Sequence, residues 1–249
     1  MVNIKRIFTT FHQCYLAKRR ILEVSSNMKL KFQFTLAFML SVLCLICFSG
    51  VAILISGSKI VAFDHDVISF IQGFESPLLT TIMKFFTFIG STPAVAVISL
   101  FSLFFLYKVL KHRTELILFI AIIIGSPILN GLLKLLFHRA RPNFHRLIEI
   151  NGYSFPSGHA MSAFAIYGIL SFLLWRHIPT RWGRTLLILI CSIMILAIGI
   201  SRIYLGVHYP SDVIGGYFAS GCWVAIAIWF YQRYQEKEFE QRRPNQSEE

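Results

Sequence analysis

The chain has 249 residues, of which 55% are hydrophobic and only 14% are charged. This composition excludes an ordinary soluble domain, because a fold of this size cannot hide so much apolar surface from water. The net charge of +12 could suggest a nucleic-acid partner. The basic residues instead follow the pattern of a membrane protein, and so we expect no binding to nucleic acid.

Six mostly apolar stretches are long enough to cross a bilayer as helices, since a hydrocarbon core about 30 Å thick needs about 20 residues. They lie at about 34–55, 92–110, 114–136, 157–175, 184–204 and 210–231. A shorter apolar stretch at 76–90 is typical of an interfacial or half-buried helix leading into the second span. The sequence therefore predicts an all-α, polytopic membrane protein, a six-transmembrane-helix bundle with an additional short interfacial helix.

Polar segments flank the predicted membrane domain, which occupies residues 34–231. Residues 1–33 form a basic arm that either lies on the anionic inner leaflet as an amphipathic helix or stays a flexible tail. The first span is too long for a cleaved signal peptide, and so we expect a retained anchor. Residues 232–249 form a polar tail whose mixed charges are typical of disorder.

The basic residues also predict the orientation of the bundle. Of the 24 Lys and Arg residues, 17 lie in the segments 1–31, 108–113, 176–184 and 232–249. These segments share one side of a six-span topology, and cytoplasmic loops are enriched in Lys and Arg. We therefore predict a multi-pass protein of the inner (plasma) membrane with both termini in the cytoplasm. The first outer loop, 56–77, contains acidic residues but no motif that indicates chemistry.

The five cysteines lie in or beside apolar stretches. Cys44 and Cys47 have the spacing of a redox motif, but no strand and helix pattern surrounds them. We interpret all five as packing or lipid-facing residues, and we expect neither a disulfide nor a metal site.

A first charged motif, KLLFHRARP, follows the third span. Lys134 lies at the outer end of the predicted helix, and Arg141 directly precedes Pro142, which disfavours helical geometry for Arg141. Lys134 can therefore point from the helix end while Arg141 reaches in from the loop. Alternatively, both side chains extend to the lipid headgroups, as cations at span ends often do.

The second motif, PSGH, opens the fourth span. Ser157 stands at the expected cap, Gly158 allows close approach of the backbone, and His159 lies in the first turn. Free N–H groups and the positive end of the helix dipole favour an anion at this position. A capped helix start with an incidental histidine would explain the same residues.

The third motif, SRIYLGVHYPSD, contains Arg202, His208 and Asp212. Asp212 is the only acidic residue between Glu149 and Glu236, in a stretch predicted to cross the membrane three times. From the first turn of the sixth span it can accept a hydrogen bond from one nitrogen of His208, which leaves the other nitrogen as a nucleophile or base. Complementing the helix dipole would explain Asp212 alone.

Together the motifs lie at the outer ends of the third to sixth spans. A close bundle would bring three cations, helix N-terminal amides and two histidines into one outward-facing pocket. Such a pocket suits phosphate, whose transfer depends on positioning and on stabilisation of charge.

The three motifs resemble the three-part signature of the type 2 phosphatidic acid phosphatase superfamily: Lys, six residues and Arg-Pro; Pro-Ser-Gly-His; and Ser-Arg, five residues, His, three residues and Asp. They cover residues 134–212, and the six-span layout extends the similarity over about 34–231. Within the superfamily, the sequence is similar to bacterial membrane enzymes of the phosphatidylglycerophosphatase B and undecaprenyl-diphosphate phosphatase type.

The resemblance implies a metal-independent lipid phosphatase that uses no cofactor and forms a phosphohistidine. His208 would attack phosphorus with Asp212 holding its ring, and His159 would protonate the leaving oxygen and later activate water. The implied phosphate ligands are Lys134, Arg141, Ser157, Gly158 and Arg202.

The implied substrate is a membrane lipid with a terminal phosphate, reached from the bilayer on the extracytoplasmic side. The residues that flank the site could contact the headgroup or have structural roles: His138, Arg139, Asn143, His145 and Arg146. A lipid-linked phosphotransferase that uses the same phosphohistidine is an alternative. A non-catalytic carrier of anionic lipids is a weaker one, because a carrier has no use for a nucleophilic histidine.

Overall fold

The structure is a computed structural model and describes residues 36–109, 113–143 and 145–241. The basic arm at 1–33 lies outside these residues. The described ranges form helices joined by turns and loops, without a strand: α1 (Leu36–Ser56), α2 (Val61–Gln72), α3 (Pro77–Ile89), α4 (Thr92–Val109), α5 (Arg113–Phe137), α6 (Gly158–Trp175), α7 (Arg181–Tyr204) and α8 (Pro210–Gln241). The prediction of an all-α fold is confirmed.

Five of the described helices, α1, α5, α6, α7 and α8, are long and apolar enough to cross a membrane. Helices α3 and α4 provide a sixth crossing if they count as one span, although they are bent by 58° at the break between them. The short helix predicted at 76–90 is therefore present as α3. Ser76 caps it by accepting the N–H of Leu79, and Pro77 starts it, as Pro commonly does in a first turn.

Two local predictions were wrong. The segment 56–77 was expected to be a loop, but it contains α2, which buries Asp64 and Ile68, four residues apart on one helical face. Residues 232–249 were expected to be disordered, but α8 continues to Gln241, and residues 242–249 lie outside the described part of the chain.

Helix α6 is central, since it packs against α4, α5, α7 and α8. Phe119 and Ile122 of α5 pack with Ile169 of α6 in a buried apolar cluster. On the outer faces, by contrast, large apolar side chains such as Ile53 and Leu136 are exposed. That distribution is the one expected when the outer surface contacts lipid rather than water.

The C-terminal ends of α5 and α7 and the N-terminal ends of α6 and α8 meet at one end of the bundle. The Ser157 N–H donates to the Asp212 carbonyl over 3.0 Å, which joins the first turns of α6 and α8. In the turn after α7, Gly206 has a φ of +71°, and a Cβ there would lie 2.2 Å from the His145 carbonyl oxygen. Glycine therefore allows this turn to pack against the α5–α6 loop.

Candidate active site

A cavity of about 280 Å³ lies where these four helix ends meet. Six of the eight residues predicted for the site line it: Lys134, Arg141, Gly158, His159, Arg202 and His208. None of the described residues around it is a carboxylate. The cavity is therefore electropositive and suited to an anion.

The three cations reach the cavity from different elements. Lys134 comes from the end of α5, Arg202 from the last turn of α7, and Arg141 from the loop after α5. Arg141 is held by the carbonyl oxygens of Val207, at 2.9 Å, and Gly152, at 3.0 Å. The prediction that Arg141 reaches in from the loop is thus consistent with its position.

Arg202 is 1% exposed, and its Nη1 donates to the Thr87 hydroxyl. Its Nε is buried without a hydrogen-bond partner in the described part of the chain. A buried donor without a partner is costly, because it has lost its bonds to water. An anion in the cavity would provide the acceptor that this guanidinium lacks.

His208 is 2% exposed and lies between a carboxylate and a cation. Its Nδ1 is 3.4 Å from Asp212 Oδ2, and its Nε2 is 3.2 Å from Arg141 Nη1. Burial lowers the pKa of His208 to about 4, although Asp212 opposes the shift. The ring is therefore neutral at pH 7. In the tautomer with hydrogen on Nδ1, the lone pair of Nε2 faces Arg141 Nη1, a cation of the cavity lining.

Asp212 is buried in the first turn of α8 and is held on both oxygens. Its Oδ2 accepts the Tyr209 N–H at 2.9 Å and the Ser154 hydroxyl, while its Oδ1 accepts Arg139 Nη1 at 2.6 Å. Helix-dipole stabilisation alone would not require these partners. The carboxylate is oriented toward His208 by its surroundings.

His159 and Gly158 bring the start of α6 to the cavity. The His159 ring packs beside Gly90, at the break between α3 and α4. A Cβ at Gly158 would lie 3.0 Å from the side-chain oxygen of Asn130. Glycine therefore lets Asn130 approach the N-terminus of α6.

Ser157 differs from the other predicted phosphate ligands. Its hydroxyl is buried, accepts the N–H of Ala160 as the cap of α6, and does not line the cavity. A direct contact between Ser157 and phosphate therefore stays a prediction.

Four residues near the site were not assigned from the sequence. Asn130 lines the cavity, and its amide donates to the Pro156 carbonyl over 3.0 Å. Ser154, Arg139 and Asp64 form a hydrogen-bonded group behind Asp212. In the sequence, Asp64 could have been identified only by its spacing: it lies four residues before Ile68, which places both on one helical face that could be buried.

The flanking residues whose roles the sequence left open do not line the cavity: His138, Arg139, Asn143, His145 and Arg146. His145 Nε2 is 3.1 Å from Glu75 Oε2, and Arg146 donates to the Pro142 carbonyl over 2.6 Å. The Arg146 contact indicates a structural role for that side chain.

Comparison with known proteins identifies the family. Residues 114–236 match the PAP2 superfamily. Phosphatidylglycerophosphatase B of Bacillus subtilis is 32% identical over 149 residues, which cover 57% of the chain and 70% of that protein. YbjG of Escherichia coli, a proposed undecaprenyl-diphosphatase, is 35% identical over 146 residues, or 51% of the chain and 66% of that protein.

A solved structure resembles the whole bundle. It is the crystal structure of a transmembrane PAP2 type phosphatidylglycerolphosphate phosphatase from Bacillus subtilis, with a TM-score of 0.63 and 25% sequence identity. The likeness covers 83% of the chain and 98% of the solved one. The chain therefore belongs to the PAP2 superfamily and is a multi-pass membrane protein of its lipid phosphatase family.

Proposed function

We propose that the protein hydrolyses the terminal phosphate of a membrane lipid phosphate or diphosphate through a phosphohistidine at His208. The main supporting observation is the two-sided placement of the His208 ring. Its Nε2 lies at a cavity with three cations, and its Nδ1 faces a buried carboxylate that is itself held in place. A binding site alone would not need this second contact.

In the first step, His208 Nε2 attacks phosphorus and forms a P–N bond as the P–O bond to the lipid breaks. His159 gives a proton to the departing lipid oxygen, while Asp212 stabilises the charge that develops on the His208 ring. In the second step, His159 takes a proton from water, whose oxygen attacks phosphorus and displaces Nε2. Inorganic phosphate leaves, and both histidines return to their starting states.

Lys134, Arg141 and Arg202 hold the non-bridging oxygens in this mechanism, together with the Gly158 amide at the start of α6. These fixed cations take over the neutralisation of phosphate charge that a metal ion provides in other phosphoryl-transfer enzymes. The proposed reaction therefore needs no metal and no cofactor. Ser157 contributes by capping the helix whose first amides face the anion.

The proposed substrates follow from the relatives and from the position of the cavity. The relatives are named for phosphatidylglycerophosphate and undecaprenyl diphosphate. A polar cavity at helix ends in a membrane bundle can take a phosphate headgroup while its apolar chains remain in the bilayer. We include phosphatidate and diacylglycerol diphosphate, which present the same terminal phosphate.

Phosphate release from these four lipids in detergent micelles tests the function. We expect release from at least one of them, undiminished in EDTA, because the cations of the site are side chains. Loss of wild-type activity in EDTA would contradict the metal-free mechanism. Release that falls when a lipid or sugar acceptor is added, with a phosphorylated acceptor appearing, would support the phosphotransferase. A carrier would release no phosphate.

We also propose that the site faces outward from the inner membrane, with both termini in the cytoplasm. The charge distribution along the chain supports this orientation. In intact cells, a membrane-impermeant thiol reagent should label a cysteine at Asn151, beside the cavity, and should fail to label one at Thr180, which caps the opposite end of α7. Labelling at Thr180 alone would invert the orientation.

A further inference from the structure

Asp64 and Arg139 lie behind His208 and form a buried ionic group with Asp212. We infer that Asp64 and Arg139 are positioning residues, which orient Asp212 toward His208 without cancelling its negative charge. The inference rests on the proposed phosphohistidine mechanism and extends it to two residues that do not contact the cavity.

Arg139 joins two carboxylates from different helices. Its Nη1 lies 2.6 Å from Asp212 Oδ1, and its Nη2 lies 2.8 Å from Asp64 Oδ2. The guanidinium lies over the Tyr209 ring, 4.2 Å from the ring centroid. The guanidinium of Arg139 is planar and each of its Nη groups binds one carboxylate, so it fixes the orientation of both carboxylates.

Asp64 completes this group from α2. Its Oδ1 accepts the Ser211 N–H at 2.9 Å, and its Oδ2 accepts the Ser211 hydroxyl at 2.6 Å as well as Arg139. Asp64 and Asp212 are both fully buried, and the Arg139 side chain is 14% exposed. Helix α2 is therefore fastened to the first turn of α8, at the residue that precedes Asp212.

The first consequence is orientation. Because Arg139 occupies Oδ1 of Asp212, the other oxygen, Oδ2, is the one directed at His208 Nδ1. Arg139 itself is absent from the described lining of the cavity. It therefore does not act as a further phosphate ligand, even though only one residue separates it from Arg141.

The second consequence concerns charge. When His208 Nε2 bonds to phosphorus, the ring becomes cationic, and a nearby anion stabilises it. A carboxylate paired with one guanidinium would have little net attraction for the ring. The second carboxylate, Asp64, restores one net negative charge to the group, so Arg139 can hold Asp212 while the group still attracts the cationic ring.

The test is a charge cycle between Asp64 and Arg139, assayed by phosphate release in detergent. Asp64→Asn brings the group to zero net charge, and we expect kcat to fall about 10- to 100-fold with KM within about threefold. The double variant Asp64→Asn/Arg139→Gln returns the group to one negative charge, and we expect it to be faster than either single variant. If the two residues contributed independently to the fold, their losses would add and the double variant would be no faster than the slower single one, which would overturn the inference.

Two inhibitors separate the charge effect from damage to the phosphate site. Inorganic phosphate is expected to bind the cavity cations and the Gly158 amide without a bond to His208, and so its inhibition constant should be unchanged in Asp64→Asn. Vanadate bonds to the nucleophile as a transition-state analogue and should bind about tenfold or more weakly. Equal weakening of both inhibitors would indicate a distorted cavity and contradict the inference.

Two further variants serve as controls. Asp66→Asn removes an exposed carboxylate from the same helix and should leave kcat unchanged. Arg139→Lys keeps the net charge but cannot hold two carboxylates in one plane, and it tests orientation should Asp64→Asn fail to fold. We expect a lower kcat with unchanged KM, and an unchanged kcat would overturn the orienting role.

An inactive wild type would contradict the proposed function itself, whereas an active wild type with a fully active Asp64→Asn variant would contradict only this inference.

Discussion

Substitution of His208 by alanine is expected to lower lipid phosphate hydrolysis by at least about 10⁴-fold, as loss of a covalent nucleophile does in other enzymes. Without Nε2 the proposed P–N bond cannot form, and the other histidine of the cavity, His159, is assigned to proton transfer in this mechanism. The measurement is phosphate release by purified protein, with the unfolding midpoint as a check of folding. Activity within about tenfold of wild type would contradict a role for His208 as the nucleophile.

A labelling experiment distinguishes the nucleophile from the general acid. With p-nitrophenyl phosphate, whose leaving group needs little protonation, His159→Ala should still give a burst of acid-labile phosphoprotein. His208→Ala should give none. A label that persists in the His208 variant would place the nucleophile elsewhere.

Much of the membrane architecture could be predicted because lipid imposes a simple rule on sequence. A span must be about 20 residues long and mostly apolar, and α1, α5, α6, α7 and α8 each meet that rule. Helices α3 and α4 were harder to predict as a unit. Their bend depends on packing, since a Cβ at Gly90 would lie 2.5 Å from Ile198 on α7, a contact invisible in the local pattern.

The cavity-lining residues were predictable for a different reason. Charged and titratable residues are rare in such an apolar sequence, and each motif places several of them within a few residues. His208 and Asp212 are four residues apart, so that their proximity follows from chain geometry.

The residues behind the site could not be found in this way, because their partners are distant in sequence. Asp64 lies 75 residues from Arg139 and 147 from Ser211. Nothing local to α2 indicates that its one buried carboxylate pairs with the α5–α6 loop and with α8. Such pairings depend on how the helices pack, which single-sequence patterns do not determine.

Substitution of Arg202 by methionine is expected to abolish most activity and yet to stabilise the empty protein. Its buried guanidinium has one described hydrogen-bond partner, Thr87, and an unpaired Nε, and it shares the cavity with Lys134 and Arg141. With no anion bound, desolvation and repulsion between like charges oppose folding, and an apolar side chain of similar length relieves both.

Two measurements on Arg202→Met should therefore move in opposite directions. In phosphate-free buffer the unfolding midpoint should rise by a few degrees, while kcat/KM falls about 10²- to 10³-fold, as expected for loss of a preorganised donor to the transition state. Arg181→Met removes an exposed charge from the other end of α7 and should change neither.

Added inorganic phosphate should stabilise the wild type more than Arg202→Met, because ligand that binds only the folded state raises its stability. A midpoint that falls in phosphate-free buffer would mean that Arg202 serves the fold, whereas a rise would identify its charge as one that the protein retains for its substrate.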